Sequence, residues 1–329
     1  MKTRITRFGF LYAGLLSVLA AALTPTQARA AFPDKPVRVV VGFPAGGPLD
    51  NHGRLLADKL QAALGQPIII DYKAGAGGSV GAESVARSPA DGYTLMLANT
   101  GVMVINPAIY PKLPYATLKD FVPIARTAQQ PLALVVHPSV PANTVAELVA
   151  LLKKKPGQYN YGSAGNGGSS HLVPEMFKAS TGTFIVHIPY KGSAPAMTDL
   201  LGGQVQLMAE SIPLAAQYVK QGKLRALAIT GRERNQALPD VPTFTELGIK
   251  GLEVVGFYGV MAPAGTPKDV VAKLSAAFKQ VLDNPVIRKS MVSQGADPAY
   301  LSSDDFGTYL TQQMPVWAKA VKDSGAKLD

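Results

Sequence analysis

Residues 37–65 read VRVVVGFPAGGPLDNHGRLLADKLQAALG, a short apolar run followed by a glycine-rich turn and an amphipathic segment. Residues 37–43 predict a strand because the run is apolar and rich in β-branched residues. Apolar residues then recur on one helix face, at Leu56, Leu60, Ala63 and Leu64. Gly65 follows as a typical helix stop. The stretch therefore predicts a strand, a turn and a helix.

The same alternation continues along the first part of the chain. Apolar runs that predict strands occur at residues 68–70, 93–97 and 122–128, and a helical pattern occurs at residues 80–86. Strands that are apolar throughout and separated by helices are typical of a parallel sheet covered on both faces. We therefore expect an α/β fold.

A second α/β set begins after Pro131. Its strands are expected at residues 132–136, 185–188, 205–208 and 224–229, with one further strand at 257–261. Its helices are expected at residues 144–154, 173–179 and 196–201, and two more close the chain at 267–283 and 304–323. Asn143 or Thr144 is the expected cap of the first of these helices, with Glu147 in its first turn. Two α/β sets in about 300 residues favour two domains.

The first 30 residues resemble an export signal. Lys2, Arg4 and Arg7 precede an apolar run at residues 8–23, and residues 28–30 form the small-x-small pattern of a signal-peptidase site. The run is shorter than the ~20 residues that span a bilayer. We therefore predict a signal peptide, residues 1–30, that is cleaved after Ala30.

The amino-acid composition excludes several kinds of site and partner. The 329-residue chain has no cysteine, which excludes disulfides, thiolate metal sites, a cysteine nucleophile and a lipidated N-terminal cysteine. Its formal charge of +10 falls to +6 without the first 30 residues, which hold four basic residues and no acid. The basic cluster at residues 153–155 ends a predicted helix, where cations suit the helix dipole. We expect a periplasmic protein with no membrane anchor and no nucleic-acid partner.

Three glycine-rich loops, residues 43–48, 75–79 and 162–171, are the candidate binding elements. In open α/β sheets, ligands bind beyond the carboxyl ends of strands, where helix N-termini and successive N–H groups attract anions. No Gly-Lys-Ser/Thr follows these loops, so a P-loop is excluded. Val80 replaces the third glycine of a dinucleotide fingerprint, and Tyr161 replaces the first glycine of a hydrolase elbow.

The four histidines are His52, His137, His171 and His187. No two are spaced as a metal pair on one helix, so we expect neither a metal site nor a cofactor. His52 and His171 adjoin glycine loops and are candidates to line a cleft. Ser169 and Ser170 adjoin His171, but no orienting acid completes a nucleophile and base.

Several motifs occur together, in order, along the chain. They are FPDKPVRVVVGFPAGGPLD at residues 32–50, KAGAGGSVGA at 73–82, SPADGYTL at 88–95, NPAIY at 106–110, YGSAG at 161–165, PYKG at 189–192 and GKLRA at 222–226. As a set they resemble the Bug-type (TctC-like) solute receptors of tripartite tricarboxylate transporters. The resemblance covers essentially the whole chain after residue 30.

This resemblance implies a type II periplasmic-binding-protein fold, in which two α/β domains with parallel-rich sheets are joined by a crossover hinge. Domain 1 would comprise residues 31–130 and 246–329, and domain 2 residues 131–245. It also implies a monomeric, non-catalytic receptor that binds a small carboxylate through backbone amides and ordered water. The receptor would deliver that ligand to membrane transporter subunits. A ligand sensor for a signalling receptor and a periplasmic hydrolase using His171 and a loop serine are the alternatives.

The resemblance also implies a set of ligand-binding residues. Carried over by position, they are Phe43, Pro44, Ala45, Gly46, Gly47, Asp50, Asn99, Thr100, Ser163, Ala164, Gly165, Ser169, Ser170, His171, Tyr190, Lys191, Gly192 and Glu210. Asp50 is expected to orient its turn rather than contact an anion. Glu210 replaces an aspartate or neutral residue of the family; facing the cleft, it would repel a second carboxylate or pair with a ligand ammonium. Phe43, Tyr190 and Tyr258 are candidate walls.

Overall fold

The computed structural model describes residues 32–294 and 296–325. The predicted signal peptide, residues 1–30, and its cleavage after Ala30 lie outside the described residues. Residues 32–34 are described without a helix or strand, and the described residues from Lys35 onwards form one compact unit. In the part of the chain that is described, no helix is both long and apolar enough to span a membrane.

Two sheets contain the described strands. The strands are β1 (Val37–Val41), β2 (Ile68–Tyr72), β3 (Thr94–Asn99), β4 (Phe121–Gln130), β5 (Leu132–Val136), β6 (Asn160–Ser163), β7 (Val186–Pro189), β8 (Leu207–Ser211), β9 (Arg225–Ile229), β10 (Gly256–Pro263) and β11 (Asp297–Leu301). Sheet 1 has the order β11-β4-β10-β3-β1-β2, and sheet 2 has the order β7-β6-β8-β5-β9.

The helices cover and connect these sheets. They are α1 (Pro48–Leu64), α2 (Ser79–Ala86), α3 (Asn106–Ile109), α4 (Thr117–Asp120), α5 (Val145–Lys154), α6 (Ser169–Thr181), α7 (Ser193–Leu201), α8 (Ile212–Lys220), α9 (Lys268–Asp283), α10 (Pro285–Gln294) and α11 (Ser303–Ser324). A 3-10 turn at Ala76–Gly78 precedes α2, and a π-helix at Gly101–Ile105 follows β3.

The opening strand, turn and helix are confirmed. Helix α1 buries Leu56, Leu60 and Leu64, and it ends at Gly65, whose left-handed backbone (φ 71°) suits glycine. The capping signal before α5 is confirmed as well. The Thr144 hydroxyl accepts from the Glu147 N–H (3.1 Å), while the Glu147 carboxylate accepts from the Asn143 N–H (2.6 Å).

The predicted parallel pairing holds for part of each sheet. Strand β1 pairs in parallel with β2 and β3, and β6 pairs in parallel with β7 and β8. Strand β10 is antiparallel to β3 and β4, and β5 is antiparallel to β8 and β9. Strands β3 and β5 are almost completely buried, as expected for strands covered on both faces. The two-sheet α/β fold is confirmed, and each sheet is mixed, with parallel and antiparallel strand pairs.

Some elements differ from the sequence-based expectation. Strand β6 occupies the start of the segment expected to be a loop, because β7 and β8 pair with it on both sides despite its polar sequence Asn-Tyr-Gly-Ser. Helices α8 and α10 and strand β11 were not expected. The sequence of β11, Asp-Pro-Ala-Tyr-Leu, carries a weak strand signal, and the strand pairs only irregularly with β4.

The chain crosses between the sheets twice. Pro131 is the single residue between β4 of sheet 1 and β5 of sheet 2, and the second crossover is the segment between β9 and β10. Helix α11 packs against β4, the π-helix and α6. Sheet 2 therefore takes its strands from one continuous part of the chain. The predicted domain boundaries remain a prediction.

Candidate functional site

A cavity of about 70 Å³ lies where loops of sheet 1 face loops of sheet 2. Its lining residues are Phe43, Pro44, Gly47, Pro48, Leu49, Asp50, Gly77, Asn99, Thr100, Gln130, Leu132, Ala164, Gly165, Asn166, Gly168, Ser169, Ser170, Gly192, Ser193, Ala194, Glu210, Ser211, Gly256, Phe257 and Tyr258. Most of them follow the carboxyl ends of β1, β3, β6, β7 and β8. This is the position at which open α/β sheets bind ligands.

Three helices begin at the cavity, each after a glycine. The N-cap residues are Gly47 for α1, Gly168 for α6 and Gly192 for α7, and no described side chain caps any of the three. The first N–H groups of a helix lack intrahelical partners, and the helix dipole adds partial positive charge there. Gly47 and Gly168 have extended backbones (φ −83° and −87°), so neither position needs glycine for a left-handed conformation. The missing side chain instead leaves space in front of each helix N-terminus. Helix N-termini from both sheets therefore offer an anion site.

The turn after β1 is held by Asp50. Its carboxylate accepts from the Gly46 N–H (2.8 Å), from Arg54 Nε (2.8 Å) and from the Tyr72 hydroxyl (2.6 Å). These bonds satisfy Asp50 and also occupy the Gly46 N–H, which had been expected to face a ligand. They support the hypothesis that Asp50 orients the turn.

The end of β3 is tied to its neighbours by two side chains. Asn99 Oδ1 accepts from the Val102 N–H (3.0 Å), at the start of the π-helix. The Thr100 hydroxyl accepts from the Phe257 N–H (2.6 Å), which joins this turn to β10. Both residues line the cavity, and the second bond positions the β10 end of the cavity wall.

Side chains also hold the loop between β6 and α6. The Ser163 hydroxyl accepts from the Gly165 N–H (3.2 Å), and the Ser170 hydroxyl accepts from the Ala164 N–H (3.0 Å). His171 Nδ1 accepts from the Gly167 N–H (3.3 Å). Because these three loop N–H groups are already bonded, and the His171 N–H is bonded to the Gly168 carbonyl oxygen (3.1 Å), the Ser169 and Ser170 N–H groups of α6 remain for an anion, beside the N-terminus of α7.

A stack of aromatic rings supports this loop from behind. The ring of His187 stacks on His171 (centroids 4.2 Å apart) and on Tyr161 (4.7 Å). His187 Nε2 is 2.6 Å from the Ser163 hydroxyl. Burial, with smaller electrostatic effects of His171 and Lys178, lowers the pKa of His187 to about 3, so the His187 ring is neutral near pH 7. Ser163 has no exposed surface, so its pairing with His187 stabilises the loop and offers no nucleophile to the cavity.

Twelve of the eighteen predicted site residues line the cavity. The six outside the lining are Ala45, Gly46, Ser163, His171, Tyr190 and Lys191. The Tyr190 hydroxyl instead donates to Asp199 (2.7 Å), and burial raises the pKa of Tyr190 to about 12. Phe43 and Tyr258 line the cavity as expected, whereas Tyr190 does not.

His52 does not line the cavity either. Its Nε2 lies 2.8 Å from the Thr127 hydroxyl, and its ring lies against Tyr258 with the centroids 5.0 Å apart. Burial lowers the pKa of His52 to about 4. His52 is therefore a neutral ring that packs against Tyr258 on the side away from the cavity.

Several polar lining residues were missed by the sequence analysis. Gln130 ends β4 beside the first crossover, Asn166 lies within the second glycine loop, and Ser211 ends β8. A polar side chain at the last position of an apolar strand was the available signal. That signal is present in Gln129-Gln130-Pro131 and in Glu210-Ser211.

Unpartnered polar atoms concentrate at this cavity. Among the described residues, six buried side-chain nitrogen or oxygen atoms lack a hydrogen-bond partner. Four of the six belong to lining residues, and these are Gln130 Nε2, Asn166 Oδ1, Glu210 Oε2 and Ser211 Oγ. Because buried polar groups in folded proteins are nearly always bonded, this concentration indicates a polar ligand.

The cavity offers little positive side-chain charge. Its two ionisable carboxylates are Asp50, which is fully bonded, and Glu210, whose pKa is raised by burial. None of the lining residues is Lys or Arg. Within residues 32–294 and 296–325, no three His, Asp or Glu side chains are placed to hold a metal ion. An anion here would therefore be bound by backbone N–H groups and polar side chains.

The loops of the two sheets touch around the cavity. The Tyr110 hydroxyl donates to the Asn166 carbonyl oxygen (3.3 Å), which joins the sheet 1 side to the sheet 2 side. At Gly192, an added Cβ would lie only 3.0 Å from Pro44 Cδ, so these two turns are in close contact. Loops of both sheets therefore meet at the cavity.

Two α/β sheets that face each other across such a cavity define a class of protein. This is the fold of the periplasmic solute-binding proteins, and it agrees with the fold that the sequence motifs imply.

The chain belongs to the tripartite tricarboxylate transporter receptor family, because residues 53–326 match the family described as "Tripartite tricarboxylate transporter family receptor". The family assignment from the motifs is thus confirmed, and the relatives are solute-binding receptors rather than enzymes. The periplasmic binding protein BugD is 37% identical, with a TM-score of 0.86 over 90% of this chain and 99% of that one.

Two further solved structures are similar and contain carboxylates. An R. palustris protein solved with adipate is 34% identical, with a TM-score of 0.87 over 90% of this chain and 100% of that one. MatC from Rhodopseudomonas palustris, solved with bound malate, is 32% identical, with a TM-score of 0.84 over 88% of this chain and 100% of that one.

Proposed function

We propose that the protein captures a small carboxylate in the cavity between its sheets and delivers it to a tripartite tricarboxylate-type transporter. The observation that carries this proposal is the convergence of three N-termini, those of α1, α6 and α7, on a cavity without a lining cation. Helix N-termini bind carboxylates through N–H groups and the dipole.

The relatives support the ligand class. Adipate and malate are both small dicarboxylates, and they are bound by proteins that share the fold and about a third of the sequence. Loops of both sheets line the cavity, so their closure on a ligand would remove water and strengthen charge-assisted hydrogen bonds. A small carboxylate therefore suits both the chemistry and the size of the cavity.

Ligand entry in this proposal requires the two lobes to separate, the lobes being sheet 1 and sheet 2 with their helices. The two crossovers, at Pro131 and between β9 and β10, would act as the hinge. Opening would break the bond from Tyr110 to Asn166 and part the contact between Pro44 and Gly192. The receptor would act as a monomer in the periplasm, after export by the signal peptide at residues 1–30.

The binding step is tested by isothermal titration calorimetry and thermal unfolding with succinate, adipate, L-malate and L-aspartate. We expect at least one of these to bind and to raise the melting temperature, whereas 1,4-butanediol, which matches succinate without its charges, should do neither. If no carboxylate binds, or if the diol binds equally well, the proposal is wrong.

The delivery step needs a separate test. The ligand-loaded protein is used to recover membrane partners from the producing cells after cross-linking. We expect transporter membrane subunits, recovered more strongly with ligand than without it. Recovery of a sensor kinase instead would contradict delivery and support the signalling alternative.

A further inference from the structure

Glu210 is the buried carboxylate of the cavity that has no counter-charge. Only 4% of its surface is exposed, and it lines the cavity at the end of β8. Its Oε1 accepts from the Ser211 N–H (2.6 Å), while its Oε2 is buried without a hydrogen-bond partner. One oxygen of Glu210 is thus available to a ligand.

The neighbours of Glu210 are polar and uncharged. The cavity lining also includes Ser193, Ser211, Gln130 and Tyr258. No described Lys or Arg lies within ion-pair distance of Glu210. Asp50, by contrast, pairs with Arg54 at 2.8 Å. Burial raises the pKa of Glu210. An ionised Glu210 would therefore need a cation from the ligand.

A ligand ammonium group would supply what the surroundings of Glu210 lack, which is a positive charge with hydrogen-bond donors. It carries a positive charge and three donors, enough to bond Glu210 Oε2 and a neighbouring acceptor such as Ser211 Oγ. A ligand carboxylate beside Glu210 would instead be repelled unless the two groups shared a proton. The helix N-termini of α1, α6 and α7 meanwhile offer a separate place for a carboxylate.

We propose that Glu210 is a specificity-determining residue that pairs with a ligand ammonium group, so that the preferred ligands are small amino acids. This inference rests on the proposed function, because it assumes that a carboxylate occupies the helix N-termini. Carboxylates that carry an ammonium group should therefore bind more tightly than carboxylates without one.

The test compares matched pairs of probes by isothermal titration calorimetry near pH 7.5. The pairs are L-alanine with propanoate, L-aspartate with succinate, and 4-aminobutanoate with butanoate. We expect the amino member of at least one pair to bind at least tenfold more tightly. Glu210→Gln should abolish that preference, because it keeps the shape but removes the charge. Glu233→Gln, which removes an exposed carboxylate outside the cavity, should leave the preference unchanged.

The remaining outcomes each decide the question. Glu210→Asp keeps the charge and should retain part of the preference, which separates charge from a folding defect in Glu210→Gln. If the members without an ammonium group bind as tightly or more tightly, Glu210 does not select amino acids and the inference fails, while carboxylate capture stands. If no probe of either kind binds, the proposed function fails and the inference fails with it.

Discussion

Replacing Gly47 with valine should weaken carboxylate binding strongly while leaving the protein folded. Gly47 is the N-cap of α1 and lines the cavity, and its backbone (φ −83°, ψ 171°) is one that any residue adopts. An added Cβ would meet only the Pro44 carbonyl oxygen, at 3.7 Å, which is an ordinary contact. The valine side chain would therefore extend into the space in front of the helix N-terminus.

The size of the effect follows from the donors that would be blocked. The N–H groups of Leu49 and Asp50 lie in the first turn of α1, where no intrahelical acceptor exists. A hydrogen bond to a charged group contributes about 1.5–3 kcal/mol, so losing two costs at least roughly 3 kcal/mol. That corresponds to about a 100-fold increase in Kd or more.

The assay is calorimetric titration with the carboxylate that binds the wild-type protein best, accompanied by thermal unfolding. Gly65→Val is the matched control, because Gly65 ends the same helix in a left-handed conformation away from the cavity. It should lower stability by about 1–2 kcal/mol without changing Kd. An unchanged Kd for folded Gly47→Val would refute the placement of the carboxylate at α1.

Three further predictions concern the supporting residues. Asp50→Ala removes the acceptor that holds the Gly46 N–H and should weaken carboxylate binding by about tenfold in titration, the loss of about one charged hydrogen bond; unchanged affinity would contradict a role in orienting the turn. Thr144→Ala removes the cap bonded to the Glu147 N–H and should cost about 1 kcal/mol in urea unfolding with no change in Kd; a stability equal to that of the wild type would show that the cap contributes nothing. The pKa of His52 is lowered by burial from 6.5 to about 4, so the unfolded chain takes up a proton first and stability is lost as the pH falls below about 6.5. The loss should reach about 2 kcal/mol near pH 5, and His52→Gln should reduce this acid sensitivity; an equal sensitivity in the variant would refute it.

The parts of the fold that follow from local pattern could be predicted. The strand, turn and helix at the start of the described chain depend on short-range periodicity and on the Gly65 stop, and the capping box before α5 depends on neighbours three to four residues apart. The direction of β5 and β10 could not be predicted in this way. Each enters its sheet directly after a crossover, so its pairing is decided by distant strands.

The binding site also has features that could be predicted from the sequence and features that could not. The glycine N-caps of α1 and α6 lie in loops whose high glycine content is visible in the sequence, whereas Gly192 before α7 was named only through the family resemblance. Which N–H groups remain available was not visible, since it depends on side chains such as Asp50 and Ser170 that bond the loops internally. Gln130 was missed because its only signal was a polar residue at the end of an apolar strand.

The most direct test of carboxylate capture is a crystal structure of the protein with its tightest-binding carboxylate from the titrations. We predict a carboxylate within hydrogen-bond distance of the first-turn N–H groups of α1 or α6, with Tyr258 against the ligand body. A ligand bound outside this cavity, or a carboxylate held by a lysine or arginine side chain, would contradict the account.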